Sequence, residues 1–416
     1  MHIAVIGTGI SGMTIAYLLQ PEHTLTVYEA SDYIGGHTHT VPVTVDDATY
    51  NIDTGFIVFN DWTYPNFIRL MDQLGVESRP TEMSFSVRCN VSNIEYAGTS
   101  INTLFAQRRN LLNPSHWRMI YDIVRFNRKA KALLATGVFS GTLGELITSS
   151  GLCDAFRDRY LTPMISAIWS ADPAEVMDFP AQNFLTFFNN HGLLNINDRP
   201  QWRVIKGGSS EYITKLTASY QHKIRLSTPV NSIRRDADGV WVCSQDGKED
   251  KYDQVVLAVH SNQALQMLLD PSEAEKEILS AIPYQDNDVL LHTDSSILPK
   301  KHLAWSSWNY LVDKEPDNNR ATVTYNMNIL QGVDAPVTFC VTLNQNNKVK
   351  PDAILGQFQY AHPVYSIAGV TAQKRHAEIS GVNNTHYCGA YWGYGFHEDG
   401  VKSALEVAKA FGKDWP

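Results

Sequence analysis

Three glycines near the start of the chain have the spacing of a nucleotide-binding turn. They are Gly7, Gly9 and Gly12, with Ile10 and Ser11 between the last two, and they follow a predicted strand and precede a predicted helix. The first glycine permits a tight turn, the second lets the backbone approach a pyrophosphate, and the third lets the helix pack on the strand. Free N–H groups at the helix start would then face phosphate. The pattern predicts a dinucleotide site.

Two features downstream extend this site. Glu29 lies 17 residues beyond Gly12, at the end of the second predicted strand, where an acid accepts hydrogen bonds from ribose hydroxyls. Gly35 and Gly36 form a second glycine pair, which lets the backbone pass close to a cofactor larger than NAD. A solvated acid and an ordinary loop are the alternatives for these two features. Together with the glycine turn, they favour FAD.

The elements that must position these residues predict an α/β fold. We expect a Rossmann-type FAD/NAD(P)-binding domain interleaved with a mixed α/β substrate domain that carries a helical insertion. The FAD domain is expected to take residues 1–60, 200–265 and 375–416, and the substrate domain residues 61–199 and 266–374.

Two further elements follow from local patterns. Asp-Gly turns predict an antiparallel meander of residues 232–235, 240–243 and 252–259. Apolar periodicity predicts a final helix over residues 400–411.

The composition excludes several classes of protein. The chain has 416 residues and a net charge of −9, which disfavours non-specific nucleic-acid binding. Its five cysteines are widely spaced, so we expect neither disulfides nor a metal site, and a reducing, cytoplasmic compartment. No apolar run reaches the roughly 18 residues of a spanning helix.

Segments spread along the chain resemble the flavin amine oxidase and phytoene desaturase superfamily. They are residues 3–36, 53–56, 204–209 and 228–233, and Gly389-Ala390-Tyr391-Trp392-Gly393 followed by Gly400. The resemblance implies FAD, with the backbone of Val230 at the adenine. The cofactor-binding residues that it implies are Gly7, Gly9, Ile10, Ser11, Gly12, Glu29, Gly35, Gly36, His37, Thr38, Gly55, Phe56, Val230, Gly389, Gly393, Gly400 and Val401.

Four segments, residues 35–38, 167–170, 309–310 and 391–400, resemble more specifically those of bacterial predicted NAD/FAD-binding oxidoreductases that are associated with lipid-modifying enzymes. The chain departs from the amine oxidases at two positions, since His37 replaces an arginine and Ala390 replaces an acid. Covalent attachment in some relatives needs a cysteine just before the last helix, and Cys388 lies too early. We therefore expect non-covalent FAD.

Three side chains are candidates for catalysis. His37 could supply a proton, while Tyr391 and Trp392 could face each other as an amine cage or line a slot for an acyl chain. A structural histidine and core aromatic side chains are the alternatives. Further residues that could add to the same pocket are Trp305, Trp308, Asn309, Tyr310, Asn60 and Tyr325.

Residues 101–135 form a basic, amphipathic stretch in an acidic chain. They hold seven arginines and lysines against one acid, Asp122. A peripheral membrane contact and a solvated face over a helical lid are both consistent with this pattern.

Three functions remain open on the sequence. One is an FAD enzyme that desaturates, saturates or isomerises a hydrophobic, lipid-like substrate. The second is an amine oxidase that produces peroxide. The third is a non-catalytic, flavin-binding partner of lipid-modifying enzymes.

Overall fold

The computed structural model describes residues 1–137, 139, 141–313 and 320–415. Its strands are β1 (His2–Ile6), β2 (Thr24–Tyr28), β3 (Thr40–Val45), β4 (Ala48–Asp53), β5 (Val58–Asn60), β6 (Ser78–Thr81), β7 (Phe85–Cys89), β8 (Ile94–Ala97), β9 (Trp202–Ile205), β10 (Ile224–Arg225), β11 (Val230–Asp236), β12 (Gly239–Ser244), β13 (Glu249–Tyr252), β14 (Gln254–Leu257), β15 (Tyr284–His292), β16 (Trp308–Val312), β17 (Val323–Asn326), β18 (Cys340–Leu343), β19 (Ile354–Pro363) and β20 (Thr385–Tyr387).

The α-helices are α1 (Ile10–Leu19), α2 (Pro65–Leu74), α3 (Ile101–Leu104), α4 (Pro114–Thr136), α5 (Leu143–Ser150), α6 (Asp154–Phe156), α7 (Thr162–Trp169), α8 (Ala181–Asn190), α9 (Ser210–Thr217), α10 (Ser261–Met267), α11 (Glu273–Ser280), α12 (Met327–Leu330), α13 (Ile367–Gln373) and α14 (His397–Ala410). This mixture of parallel and antiparallel sheets with helices confirms the predicted α/β fold class.

A five-stranded parallel sheet carries the glycine turn, in the order β10-β2-β1-β14-β20. Its central strands are continuous apolar runs, and Ile3, Val5 and Val256 are fully buried, as expected for strands covered on both faces. Helix α1 joins β1 to β2. The loops after β1, β2 and β14 therefore meet at the carboxyl edge of the sheet, where ligands bind in this class of fold.

The predicted meander is present, but its third strand was predicted wrongly. Strands β11, β12 and β13 form it, so residues 249–252 take the place that we predicted for residues 252–259. After Asp253 the chain enters β14, which pairs with β1 in the parallel sheet. The prediction failed because β13 is a polar edge strand with one buried residue, Tyr252, and shows no apolar alternation.

A seven-stranded sheet, in the order β19-β15-β18-β17-β16-β7-β8, forms the second large layer. Its neighbours are antiparallel except β16 and β7, which pair in parallel. Buried Val87, Val289, Leu291, Val323 and Val341 belong to the core cluster of this sheet. The sheet brings β7, β16 and β17, distant in sequence, to one wall of the central cavity.

Helices α3 to α8 form a layer over residues 101–190, where we predicted a helical insertion. The longest, α4, starts where the Asn113 side chain accepts a hydrogen bond from the Ser115 N–H at 3.0 Å. It ends at Gly137, whose φ of 96° is left-handed. Phe126 and Ala130 on its inner face join the core cluster that holds α7 and α8.

The last helix begins at His397, three residues before the predicted start. The Asp399 carboxylate accepts a hydrogen bond from the Phe396 N–H at 3.1 Å and so fixes this start. The domain boundaries stay a prediction; the strands of the parallel sheet fall within the ranges predicted for the FAD domain. In the described ranges, no helix has both the length and the apolarity to cross a membrane.

Candidate active site

A cavity of about 860 Å³ runs from the glycine turn into the space between the parallel sheet, the seven-stranded sheet and the helical layer. One end is polar and is lined by the turn after β1, by Glu29 and by residues 228–231. The other end is lined mainly by apolar and aromatic side chains. The volume is within the range of about 300–1,000 Å³ that is usual for ligand sites.

The three glycines of the first turn differ in what surrounds them. Gly7 has a φ of 98°, and a Cβ on Gly12 would lie 2.0 Å from the Gly7 carbonyl oxygen. A Cβ on Gly9 would meet nothing within 4 Å, because Gly9 faces the cavity. This open space beside the start of α1 fits a pyrophosphate, whose charge the helix N-terminus would stabilise.

Glu29 and the second glycine pair complete the polar end. The Glu29 carboxylate accepts hydrogen bonds from the N–H groups of Thr8 at 2.9 Å and Ser31 at 2.8 Å. Gly36 has a φ of 58°, and a Cβ there would lie 3.2 Å from the Gly9 Cα. Val230 lines the same end. The structure therefore brings together the residues that were predicted to bind the nucleotide, apart from Gly12, which packs behind the turn.

The loop after the second glycine pair is held by a buried hydrogen-bond network. The Thr38 hydroxyl lies 2.5 Å from the Tyr212 hydroxyl and 2.9 Å from Nε2 of His397. Phe56 stacks on the His397 ring with 3.5 Å between centroids. A Cβ on Gly55 would lie 2.1 Å from a backbone oxygen, that of His37. The network keeps Gly55 and Phe56 at the cavity wall and was missed because its members are far apart in sequence.

The glycines of the C-terminal motif do not all reach the cavity. Gly389 lines it, whereas Gly393, Gly400 and Val401 do not. A Cβ on Gly393 would lie 2.3 Å from the Asp399 carboxylate, and a Cβ on Gly400 would lie 2.6 Å from an Ile10 methyl carbon. These two glycines therefore permit close packing. Because the helix begins three residues before the predicted start, its first turn holds residues 397–399 rather than Gly400 and Val401.

Tyr391 and Trp392 do not form the facing pair that was predicted. They belong to one 3₁₀ turn, and their ring centroids lie 4.9 Å apart with the ring planes at 39°, so the rings pack against each other rather than face each other across the cavity. Tyr391 is 2% exposed and lines the cavity, but Trp392 does not line it and packs edge-on against His376. Burial raises the pKa of the Tyr391 hydroxyl well above its usual value, which makes it a poor proton donor at neutral pH. Trp392 is therefore placed outside the site.

Of the six further residues that were predicted to add to the pocket, the structure places two at the cavity wall. Trp308 and Tyr325 line the cavity and contact each other with 4.9 Å between ring centroids. Trp305, Asn309, Tyr310 and Asn60 do not line it.

The sequence matches the family model for flavin-containing amine oxidoreductases over residues 10–306. The chain belongs to this family. A flavin cofactor follows, which confirms the predicted FAD and the predicted superfamily. The residues that would hold the nucleotide part are Gly9, Glu29 and Val230, and those that would lie along the rest of the cofactor are His37, Gly55, Phe56 and Gly389.

Relatives and solved structures agree with this assignment. The chain is 23% identical over 336 residues to an L-amino-acid oxidase from Siganus canaliculatus, a match that spans 71% of this chain and 57% of that protein. It shares its fold with cyclohexylamine oxidase from Brevibacterium oxydans IH-35A, with a TM-score of 0.70, 16% identity and 99% of each chain covered. A CLA-producing fatty acid isomerase from P. acnes gives a TM-score of 0.69, with 17% identity and 98% of each chain covered.

A cluster of three histidines lines the cavity, and the sequence revealed only one of them. His260 and His362 lie with their ring centroids 5.7 Å and 5.4 Å from that of His37. Burial lowers the pKa of His37, and burial together with the neighbouring rings lowers the pKa of both others to about 3. All three rings are therefore neutral at pH 7. Among the described residues, no group of acids, cysteines and histidines is arranged to hold a metal ion.

The charge of the cavity wall is unusual for a site that takes a dinucleotide. Among the described residues that line it, none is lysine or arginine, and the acids are Glu29 and Asp286. Where the family has an arginine, the His37 ring lies with Nε2 at 3.1 Å from the Ala361 carbonyl oxygen. The pyrophosphate would therefore be bound by backbone N–H groups and by the helix dipole of α1.

Proposed function

We propose that this protein is an FAD-dependent oxidoreductase that acts on the hydrocarbon part of a lipid-like substrate. The observation that carries the proposal is the wall of the cavity beyond the polar end. It is formed by Met83, Phe85, Met164, Ile168, Trp169, Phe187, Leu193, Trp308, Tyr325, Leu330 and Leu343. Burial of a hydrocarbon chain against such a wall is favourable by about 25 cal/mol per Å².

The absence of cations argues against an amino-acid substrate. The carboxylate of an amino acid is normally paired with arginine or lysine, and neither lines the cavity among the described residues. Of the two acids there, Glu29 is held by the glycine turn, and Asp286 lies on an exposed part of β15. The L-amino-acid oxidase relative therefore does not supply the substrate that we favour. The fatty acid isomerase of the same fold is consistent with an acyl chain.

FAD, when bound, supplies hydride transfer, which can end in desaturation, saturation or double-bond isomerisation. The residues of the chain position the substrate and exclude water. The neutral histidines His37, His260 and His362 can accept or donate a hydrogen bond at a ring nitrogen and can hold a proton there. The buried Tyr391 ring shapes the wall.

Amine oxidation is the second candidate, and the family itself favours it. Aromatic side chains at the cavity, such as Trp169, Tyr365 and Tyr394, can hold an alkylammonium ion without a carboxylate. Oxidation of an amine in air would release peroxide, whereas redox-neutral isomerisation of a lipid would not.

The test is anaerobic reduction of the yellow protein. The absorbance of oxidised flavin is followed after addition of a bacterial phospholipid and fatty-acid extract, or of an amine panel, and the lipids are analysed by mass spectrometry. Loss of the oxidised-flavin absorbance after addition of the lipid extract supports a lipid enzyme. A change in the lipids without this loss of absorbance supports a redox-neutral lipid enzyme. Bleaching by amines alone contradicts the proposal, and no change with either would favour a non-catalytic flavin protein.

A pair of adjacent substitutions tests whether the apolar wall is the substrate site. Met83→Gln places an amide in the cavity, whereas Glu82→Gln changes a neighbouring side chain that is exposed and outside it. Both variants should keep their flavin. Only Met83→Gln should lose turnover of the lipid, by about tenfold or more from a buried amide.

A further inference from the structure

The long helix α4 has an outer face that combines aromatic and basic side chains. Trp117, Tyr121, Arg128 and Lys131 recur every three to seven residues on that face and are exposed, which places them along one stripe of the helix. The opposite face is buried through Met119, Asp122, Phe126 and Ala130. At 1.5 Å per residue the helix is about 35 Å long, so the stripe extends across much of the helical layer.

Large apolar side chains around the start of α4 are exposed as a group. Leu112 is 89% exposed, Ile101 78% and Tyr121 61%, and Leu111 and Trp117 are about half exposed. Single exposed apolar residues are ordinary, but several within one short segment are typical of an interaction surface. Five of the large exposed side chains thus lie within 21 residues of one another in sequence.

The charge on this face is positive although the protein is acidic. Residues 101–135 carry seven basic side chains and one acid, in a chain of net charge −9. The acid, Asp122, is fully buried and pairs with Arg118 at 3.0 Å and Arg125 at 3.7 Å. It therefore offsets part of the charge of these two arginines from inside, and residues 101–135 have no acid that faces outward.

A second cavity, of about 320 Å³, opens on the same face. One wall is α4, through Val124, Asn127, Arg128 and Lys131, and the other is the loop of residues 194–197. The Lys131 ammonium donates a hydrogen bond to the Asn195 amide oxygen at 2.5 Å, so it is held over the cavity. Ile196, at the rim, is 70% exposed. The two cations and the amide groups could bind an anionic lipid headgroup, and the apolar side chain at the rim could contact the adjoining acyl chain.

The same loop also reaches the active site. Leu193 lines the main cavity, while Leu194 to Asn197 line the outer one. One short segment thus lies between the outer face and the apolar end of the catalytic cavity.

We propose that this face, defined by residues 101–131 and 194–197, docks on an anionic phospholipid membrane. Arg128 and Lys131 bind a headgroup phosphate, and Ile101, Leu112 and Ile196 enter the interfacial region, as in other interfacial helices. Exposed aliphatic side chains at the rim favour a lipid surface over a nucleic acid, which would leave them in water. The inference stands independently of the substrate that the flavin site takes.

The experiment is co-sedimentation of the flavin-loaded protein with vesicles of phosphatidylcholine alone or mixed with phosphatidylglycerol. The wild type should bind the anionic vesicles only, and less at high salt. The double variant Arg128→Gln/Lys131→Gln should lose about tenfold or more of this binding. The matched control Lys248→Gln/Lys251→Gln removes two exposed lysines from the meander and should bind as the wild type does.

A third variant separates insertion from charge. Ile101→Ser/Leu112→Ser changes two of the most exposed apolar side chains, so the fold and flavin content should not change, while vesicle binding should fall. Equal binding to both kinds of vesicle, no binding, or equal loss in the control and the Arg128/Lys131 variant would overturn the proposal. Self-association without vesicle binding would also overturn it, because the face would then pair copies of the chain.

Discussion

The two ends of the cavity are built in different ways. The polar end is made largely of backbone, with Gly9 open to the cavity and Glu29 fixed by N–H groups of Thr8 and Ser31. The apolar end is made of side chains from β7, α7, α8, β16 and β17, which the fold brings together from distant segments. On our proposal, the first end binds a part that every flavin dinucleotide shares, and the second selects the substrate.

This difference explains why the cofactor is easier to infer than the substrate. A nucleotide turn needs particular glycines at fixed spacing, because a Cβ would collide with backbone. An apolar chamber tolerates many combinations of side chains of suitable volume. Its shape is therefore carried by tertiary packing and leaves no short motif.

The largest effect is expected from the same substitution at two glycines of the turn. In Gly12→Ala the new methyl group would lie 2.0 Å from the Gly7 carbonyl oxygen, so we expect a loss of about 3 kcal/mol in the free energy of unfolding, or no soluble protein. In Gly9→Ala the methyl group would enter open space in the cavity, so the apoprotein should be nearly as stable as the wild type.

The two alanine variants are distinguished by urea unfolding of the apoprotein and by titration with FAD. Gly9→Ala should bind FAD about tenfold or more weakly because its methyl group takes space at the pyrophosphate. Tight FAD binding by Gly9→Ala would show that the cofactor does not approach this turn.

A smaller effect is expected at Glu29. In Glu29→Gln the carboxylate that accepts hydrogen bonds from Thr8 and Ser31 becomes a neutral amide. Loss of these charge-assisted bonds and of the ribose acceptor should weaken FAD binding about 30-fold, or about 2 kcal/mol. Asp32→Asn removes the same charge from an exposed residue in the same loop and serves as the control. Equal affinities in the two variants would remove Glu29 from the binding site.

The sequence predicted the polar end because its residues are contiguous. The glycine turn, Glu29 and the second glycine pair lie within 30 residues, and their conformations follow from local sterics. The start of α14 was harder to locate, since it depends on a capping interaction between Asp399 and Phe396 rather than on the glycine at position 400. Strand β13 was missed because polar edge strands lack an apolar period.

The histidine cluster shows the limit of local patterns. His260 follows the carboxyl end of β14, and residues at this edge of a parallel sheet are candidates for a ligand site. That rule would have found His260. His362 lies near the end of β19, in the other large sheet, and only the packing of the two sheets brings it within 5.4 Å of His37.

The pH dependence of stability tests whether the cluster is held neutral. Burial and the rings of His37 and His362 lower the pKa of His260 to about 3, from an ordinary value of 6.5. Between these values the unfolded chain binds a proton that the folded chain does not, so stability falls as the pH falls below 6.5. At pH 5 the loss from this one group is about 2 kcal/mol.

The variant His260→Asn should therefore lose less stability between pH 7 and pH 5 than the wild type does, while an asparagine still suits the start of α10. His222→Asn, at an exposed histidine, should keep the wild-type slope. Asp53, whose pKa burial raises to about 6, works in the opposite direction, but it is present in every variant and cancels. Parallel slopes in urea unfolding of the FAD-saturated proteins would contradict a neutral His260.

The smallest effect is expected at Cys388. Because this residue belongs to neither end of the cavity, we predict that it has no role in binding the flavin. The thiol is fully buried behind the parallel sheet, does not line the cavity, and burial raises its pKa. A thiol in that state is a weak nucleophile. Acid precipitation should therefore release all the flavin into the supernatant, and Cys388→Ala should contain as much flavin as the wild type. Yellow protein in the acid pellet would show a covalent bond, and its loss in Cys388→Ala would identify the cysteine and place part of the cofactor behind the sheet.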